Sequence, residues 1–258
     1  MIRVFVSDID GCLSEPYRPF DLAGMTVLAG YATRADRRRV PEAPPDFSIL
    51  TGRSYSYLEA VSQALSLRIP VLFEAGGGLF DPVSATTRWH PDFTPDLERE
   101  LTDVKSWLAT QIGGTSVSVD LGKRTQAGII GPDEEEITQL KPVVRDYVER
   151  SHPGLVVLST GVSIDVMGRH LTKKRGIAWL ADELRVDPGE MAFIGDTEGD
   201  LGALSVVGRS FAPANASPEV KGRVQTVTRG RVLDGVIEAY RACVNENSAP
   251  ADPDRREA

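Results

Sequence analysis

Five short apolar runs, each closing on glycine or a small polar residue, alternate with segments of helical period along this chain of 258 residues. They are IRVFVS (2–7), FSIL (47–50), PVLFE (70–74), MAFIG (191–195) and SFAPA (210–214). Helices are expected between them, near 22–37, 54–66, 176–185 and 231–243. Strand and helix in alternation argue for a parallel α/β sheet. Three of the runs finish at Asp8, Thr51 and Asp196. Open parallel sheets bind ligands beyond the carboxyl ends of their strands, so these three residues can meet although they are far apart in sequence.

The middle of the chain has a different texture. Amphipathic helices are expected at 95–111 and 133–150, interleaved with the alternating strands TSVSVDL, TQAGIIG, GLVVLST and VSIDVMG. Thr94 followed by Pro95 reads as a helix cap and first position. The expected division is therefore a core of residues 1–84 and 169–245, a small α/β lid at 85–168, and a polar disordered tail at 246–258. The stretch RADRRRVPEAPPD (34–46) reads as a solvated helix end running into a proline-rich loop. No internal repeat is present.

Composition excludes several classes. A formal charge of −8 and a pI near 5.0 repel phosphate backbones and acidic bilayers, so no nucleic-acid or membrane partner is expected. No run approaches the length of a membrane span, and the N-terminus lacks a basic region followed by a long apolar stretch, so the expected location is cytoplasmic. The two cysteines, Cys12 and Cys243, give no support to a disulfide. His90, His152 and His170 lack ligand-like spacing. Oligomeric state is not legible.

An Asp8-x-Asp10 pair at a strand end is weak alone, because carboxylates also cap helices and decorate turns. Its partners strengthen it. ILTGRS places Thr51, Gly52 and Arg53 at a second strand end, and AFIGDTEGDLGAL places Asp196 and Asp200 at a third. Crowding carboxylates costs repulsion and desolvation, which a fold tolerates chiefly when a divalent cation neutralises them. Oxygen-only ligands with room for water suit Mg²⁺. A cation beside an aspartate prepares a place for a phosphoryl group, and TKKRG supplies further positive charge. At about 100° per residue, Ile177, Leu180, Ala181 and Leu184 form one stripe with Lys173 near its centre, so Lys173 should face the sheet.

The order Asp8-Ile-Asp10-Gly11, Thr51-Gly52-Arg53, Lys173 and Gly195-Asp196-x-x-x-Asp200 resembles the haloacid-dehalogenase superfamily. The lid position, with VLFEAGGGLFDP before it and FAPANASPEV after the last motif, resembles the Cof-like, sucrose-phosphatase-like branch. The resemblance implies a Rossmann-like core with an inserted α/β cap, hydrolysing a small phosphorylated metabolite such as a sugar phosphate or a phosphoglycolate-like acid. It further implies Asp8 as nucleophile, Asp10 as proton donor and then base, and Thr51, Gly52, Arg53 and Lys173 on the phosphoryl group. Mg²⁺ is then bound by the Asp8 side chain, the Asp10 carbonyl and Asp196, with Asp200 ordering its waters or Lys173. Three departures stand out: Cys12 for the usual threonine, Gly199 for the usual asparagine, and EAGGG for glutamate-asparagine-glycine. Asn215 is the expected compensation for Gly199. The alternatives are a sugar phosphomutase of the same superfamily and a catalytically weakened phosphate-binding homologue. A receiver domain fits poorly, because its acidic pair precedes the phosphorylated strand and it needs no lid. Arg88, His90, Lys123, Arg124 and His170 are the lid-side candidates for specificity.

Overall fold

The computed structural model describes residues 1–33 and 43–248, so the expected helix end at 34–37 and most of the loop after it lie outside the described residues, as do tail residues 249–258. The chain begins with β1 (Val4–Ser7), α1 (Leu22–Ala32), β2 (Asp46–Ile49) and α2 (Tyr55–Ala64), followed by β3 (Val71–Phe73), β4 (Gly78–Asp81) and β5 (Thr86–Trp89). Next come α3 (Pro95–Gln111), β6 (Ser118–Val119), β7 (Gln126–Ile130), α4 (Glu134–Ser151), β8 (Leu155–Ser159) and β9 (Ser163–Gly168). The remainder is α5 (Lys173–Leu184), β10 (Met191–Ile194), α6 (Leu201–Leu204), β11 (Arg209–Ala212), α7 (Pro218–Lys221), β12 (Thr226–Val227) and α8 (Val232–Ser248).

The parallel sheet runs β12-β11-β10-β1-β2. Side chains alternate across it. Phe5, Phe47 and Phe211 pack beneath α1, α2 and α8, while Val4, Val6 and Phe193 pack against α5, α6 and α7. Strand order reverses between β1 and β10, and at such a switch point the flanking connections leave to opposite faces, opening a crevice at the carboxyl ends. Asp8 and Asp196 sit on either side of it.

Two strand expectations are revised. The run 70–74 is a strand, but only an isolated Leu50–Leu72 bridge ties it to the parallel sheet; it pairs instead with β4 in an antiparallel sheet β3-β4-β5. The reversal is made by Glu74 and Ala75, with φ of 50° and 56°. Left-handed backbone at non-glycine residues costs about 1–3 kcal/mol each and persists only where the surroundings over-determine it. The fifth parallel strand is β12, a two-residue strand too short to register as an apolar run.

In the middle segment, β6-β7-β9-β8 form an antiparallel sheet, with α3 and α4 joined by the stacked rings of Trp107 and Tyr147. Its apolar residues make a separate cluster that includes Leu101, Val104, Ile129, Val144 and Val166. Thr94 caps α3, accepting from the Leu97 N–H. The tail expected at 246–258 overlaps α8, which runs to Ser248. Asn247 is buried on α8, where its side chain accepts from the Ile2 N–H at 2.8 Å and donates to the Ile2 carbonyl at 2.7 Å, fastening the helix to the start of β1.

Phe5 is the hub of the first core layer, with ring centroids 5.7 Å from Phe47, 6.2 Å from Phe211 and 5.4 Å from Tyr240. Phe5→Ala is expected to lower stability by about 3–5 kcal/mol, because the surrounding rings cannot collapse into the gap. A fall in the urea midpoint at unchanged slope is the measurement.

Candidate active site

Asp8 follows β1 directly and is 5% exposed. Its Oδ1 accepts from the Ile9 N–H at 2.7 Å and its Oδ2 from Lys173 Nζ at 2.7 Å. Lys173 opens α5, whose N-cap Thr172 accepts from Arg175 N–H; the helical stripe turns its side chain inward, where Nζ also donates to Asp200 Oδ1 at 2.6 Å. Burial alone would lower the Lys173 pKa, but Asp200 and Asp8 outweigh it and the ammonium is held above its ordinary range.

Asp200 is fully buried, and its second oxygen accepts from Asp196 N–H, Thr197 N–H and Thr197 Oγ1 at 3.1, 3.0 and 3.2 Å. With both oxygens hydrogen-bonded, Asp200 fixes Lys173 and the 196–200 loop. Asp196 is different. Its Oδ1 is buried without a hydrogen-bond partner among the described residues. Burial first, then the charges of Asp8 and Asp200, push its pKa up to about 8. Asp8 is pushed up to about 7 by burial, against the pull of Lys173. Carboxylate oxygens of Asp8, Asp196 and Asp200 lie within 4.8 Å of one another. An orphaned buried oxygen in an all-oxygen donor set is what a hard divalent cation would satisfy. Gly11 makes room for this: at its φ of 73°, a Cβ would lie 1.8 Å from Asp196 Oδ2.

Asp10 does not join that carboxylate group. Its two oxygens are taken by Arg53, from Nε at 2.7 Å and Nη2 at 2.6 Å. The guanidinium is in turn stacked against Tyr17 and Tyr57, 4.7 and 5.0 Å from the ring centroids. The structure therefore directs Arg53 to Asp10, where a phosphate contact was expected. The two tyrosines were not foreseen, since nothing in their spacing distinguishes them from packing residues. Thr51 is buried at the end of the adjacent strand, and its Oγ1 accepts from Arg53 N–H at 3.1 Å. A Cβ at Gly52 would meet no atom within 4 Å, so that backbone faces open space.

Asn215 lies beside the loop after β1: its Nδ2 donates to the Gly11 carbonyl at 2.8 Å and its Oδ1 accepts from Val232 N–H at 2.7 Å, so the amide braces that loop against α8. Gly199 itself is exposed, with only Thr197 Oγ1 near a Cβ position, at 3.7 Å. Cys12 and Cys243 are free and buried. The lid-side candidates are engaged by protein partners: Arg88 with Glu183, Lys123 with Asp165, Arg124 with Glu98, and His90 edge-on to Trp179; His170 is exposed.

A parallel sheet with buried acidic groups and a lysine at its switch point, and an α/β insert beyond, defines a Rossmann-like hydrolase. The profile of the haloacid dehalogenase-like hydrolases matches residues 115–239 of this chain. The phosphoglycolate phosphatase of Natronomonas pharaonis is 25% identical over 240 residues, 93% of this chain and 96% of that one. The phosphoglycolate phosphatase of Haloarcula marismortui is 28% identical, covering 91% of this chain and 94% of the relative. Among solved structures, a Thermoplasma acidophilum protein superposes with a TM-score of 0.76 at 20% identity, covering 94% of this chain and 98% of its own. The sucrose-phosphatase of Synechocystis, in complex with sucrose and phosphate, superposes with a TM-score of 0.65 at 18% identity over 94% and 98% of the two chains.

Asp196→Asn removes a buried carboxylate that lacks a protein partner. In chelator the variant is expected to melt several degrees above the natural protein at pH 8. With a folded-state pKa raised to about 8, the folded chain keeps on Asp196 a proton that the unfolded chain gives up at about pH 4, so stability falls as pH rises between those values. The advantage of the asparagine should therefore grow between about pH 4 and pH 8 and level off above. Thermal melts across that range are the measurement.

Proposed function

We propose that this chain is a Mg²⁺-dependent phosphomonoester hydrolase of the Cof-like branch, acting through an aspartyl-phosphate on a small phosphorylated acid or sugar. The observation that carries the reading is the convergence of Asp8, Lys173 and Asp196 at the strand-order switch, with one buried oxygen of Asp196 left without a protein donor. The names of the full-length relatives support phosphoglycolate as the first substrate to try.

Asp8, Asp196 and the Asp10 main-chain carbonyl would hold Mg²⁺, which when bound neutralises the crowded carboxylates and the incoming phosphoryl oxygens. An Asp8 carboxylate oxygen attacks phosphorus in line with the leaving oxygen; the O–P bond forms as the bond to the leaving group breaks. Asp10 gives its proton to that oxygen. Water then attacks the aspartyl-phosphate, Asp10 takes back a proton, and inorganic phosphate leaves with Asp8 regenerated. Lys173, fixed by Asp200, and the Thr51 hydroxyl hold the phosphoryl oxygens, since positioning and charge neutralisation do most of the work in phosphoryl transfer.

Arg53 adds a condition to this scheme. A carboxylate with both oxygens on a guanidinium has none to offer, so Asp10 must part from Arg53 before it meets the leaving group. The tyrosines that stack on the guanidinium keep it in place as Asp10 turns away. Residues 85–168 act as a cap that covers the leaving group.

Phosphate release from a panel of phosphorylated acids and sugars, with Mg²⁺ and with chelator, tests the reading. Release is expected with Mg²⁺ and abolished by chelator; no release from any ester overturns it. Asp8→Asn should remove turnover altogether. Asp10→Asn should lower kcat about 10²-fold or more for an alkyl ester; with an activated aryl ester, whose leaving oxygen needs no proton, the initial burst of released phenol should persist while steady turnover still falls, because Asp10 also activates the water.

A further inference from the structure

We propose that Glu74 is a positioning residue that latches the cap turn 120–125 over the Thr51-to-Ser54 loop, and so sets how tightly the leaving group is held. The inference rests on the phosphatase reading above for its kinetic consequence and on geometry alone for the latch.

Glu74 belongs to the core by sequence, yet its carboxylate is spent on the cap. It is 1% exposed, and its Oε2 accepts from Arg124 N–H at 2.9 Å, Thr125 N–H at 2.5 Å and Thr125 Oγ1 at 2.7 Å. Three donors on one carboxylate oxygen form a strong and directional contact, because charge-assisted hydrogen bonds gain in a site shielded from water. Lys123, immediately before them, is buried and donates to Asp165 Oδ1 at 2.6 Å, which ties the same turn to β9. Burial raises the Glu74 pKa, and the donors from Thr125 and Arg124 oppose that rise.

The backbone of the same residue faces the other way. Glu74 N–H donates to the Arg53 carbonyl at 2.9 Å, and Ala75 N–H donates to the Thr51 carbonyl at 2.8 Å. One left-handed turn thus grips the proposed phosphoryl loop with its main chain and the cap with its side chain. The fit between the units is close. A Cβ at Gly77 would stand 2.0 Å from Thr125 Oγ1, and one at Gly122 would stand 3.3 Å from Ser54 Oγ. The turn that carries Gly122 and Lys123 therefore rests beside the residue that follows Arg53. A shift of this turn changes the room above Arg53 and Asp10 without touching Asp8, Lys173 or Asp196.

Glu74→Gln puts an amide where three donors point, and at best its carbonyl serves some of them. Thr125→Val deletes one donor at nearly constant shape, and Thr125→Ser retains it. Trypsin can cut after Lys123 and Arg124 only when this turn opens. The fragments ending there, followed by mass spectrometry on the full-length protein, are expected to form about tenfold faster in Glu74→Gln and faster in Thr125→Val, with Thr125→Ser matching the natural protein. In Mg²⁺, kcat/KM for phosphoglycolate is expected to fall about tenfold in Glu74→Gln, chiefly through KM, while p-nitrophenyl phosphate changes less than twofold. Unchanged cleavage in both Glu74→Gln and Thr125→Val overturns the latch. Faster cleavage with equal losses on both esters overturns the positioning role and leaves a purely structural contact. If the natural protein hydrolyses neither ester, nor any other in the panel, the phosphatase reading fails, and the cleavage rates alone decide the latch.

Discussion

One ammonium group serves two buried carboxylates, and a third carboxylate beside them is left without it. Lys173 bonds Asp8 and Asp200 at 2.7 and 2.6 Å, while the buried Oδ1 of Asp196 finds no donor. In a low-dielectric crevice this imbalance is unfavourable for the fold considered alone, since charge repulsion and lost hydration act together. Chain architecture is arranged to enforce it all the same. Asp8 and Asp196 are delivered by neighbouring strands of the sheet, and Lys173 by the first turn of a helix whose apolar stripe is locked against that sheet. Gly11 is the residue that lets Asp196 come so near. Stability given up at one point for a site able to act on charge is the usual relation between a rigid scaffold and chemistry at its edge.

The same relation shapes the second pair. Asp10 lies two residues beyond Asp8, outside the buried group, and is balanced by Arg53 from the next strand end. The two aspartates therefore meet different surroundings: Asp8 is buried against a lysine, and Asp10 is partly exposed against a guanidinium. Two carboxylates placed in unlike settings can carry unlike duties, one as nucleophile and the other as proton carrier.

Much of this was legible in the sequence, and the reason is periodicity. Runs 2–7 and 191–195 end on aspartates because a buried strand stops where its chain becomes polar, and the stripe of Ile177, Leu180 and Ala181 placed Lys173 toward the sheet. What stayed hidden depends on long-range pairing. PVLFE has the composition of a central parallel strand, yet the left-handed Glu74 and Ala75 that follow turn it into the first strand of an antiparallel sheet, and no local preference announces positive φ at a glutamate. Arg53 stands in a motif whose resemblance assigned it to phosphate, while its partner is set by which side chains the strand ends bring within reach. The bracing contacts of Asn215 were hidden for the same reason: an amide's partners are decided by the folded loop around it, here the Gly11 carbonyl and the first turn of α8.

Strain and long-range pairing meet in the turn at residues 74–75. Two non-glycine residues in left-handed backbone are tolerated only when several contacts fix them at once. Here the contacts come from both units: backbone donors to the carbonyls of Thr51 and Arg53, and side-chain acceptance from Arg124 and Thr125. Neither set alone explains the geometry. An ordinary β-turn could join β3 to β4, but it would not aim a buried carboxylate at the 124–125 backbone while also holding the 51–53 carbonyls. The conformation therefore belongs to the junction of the 51–54 loop with the 120–125 turn, both of which Glu74 and Ala75 contact.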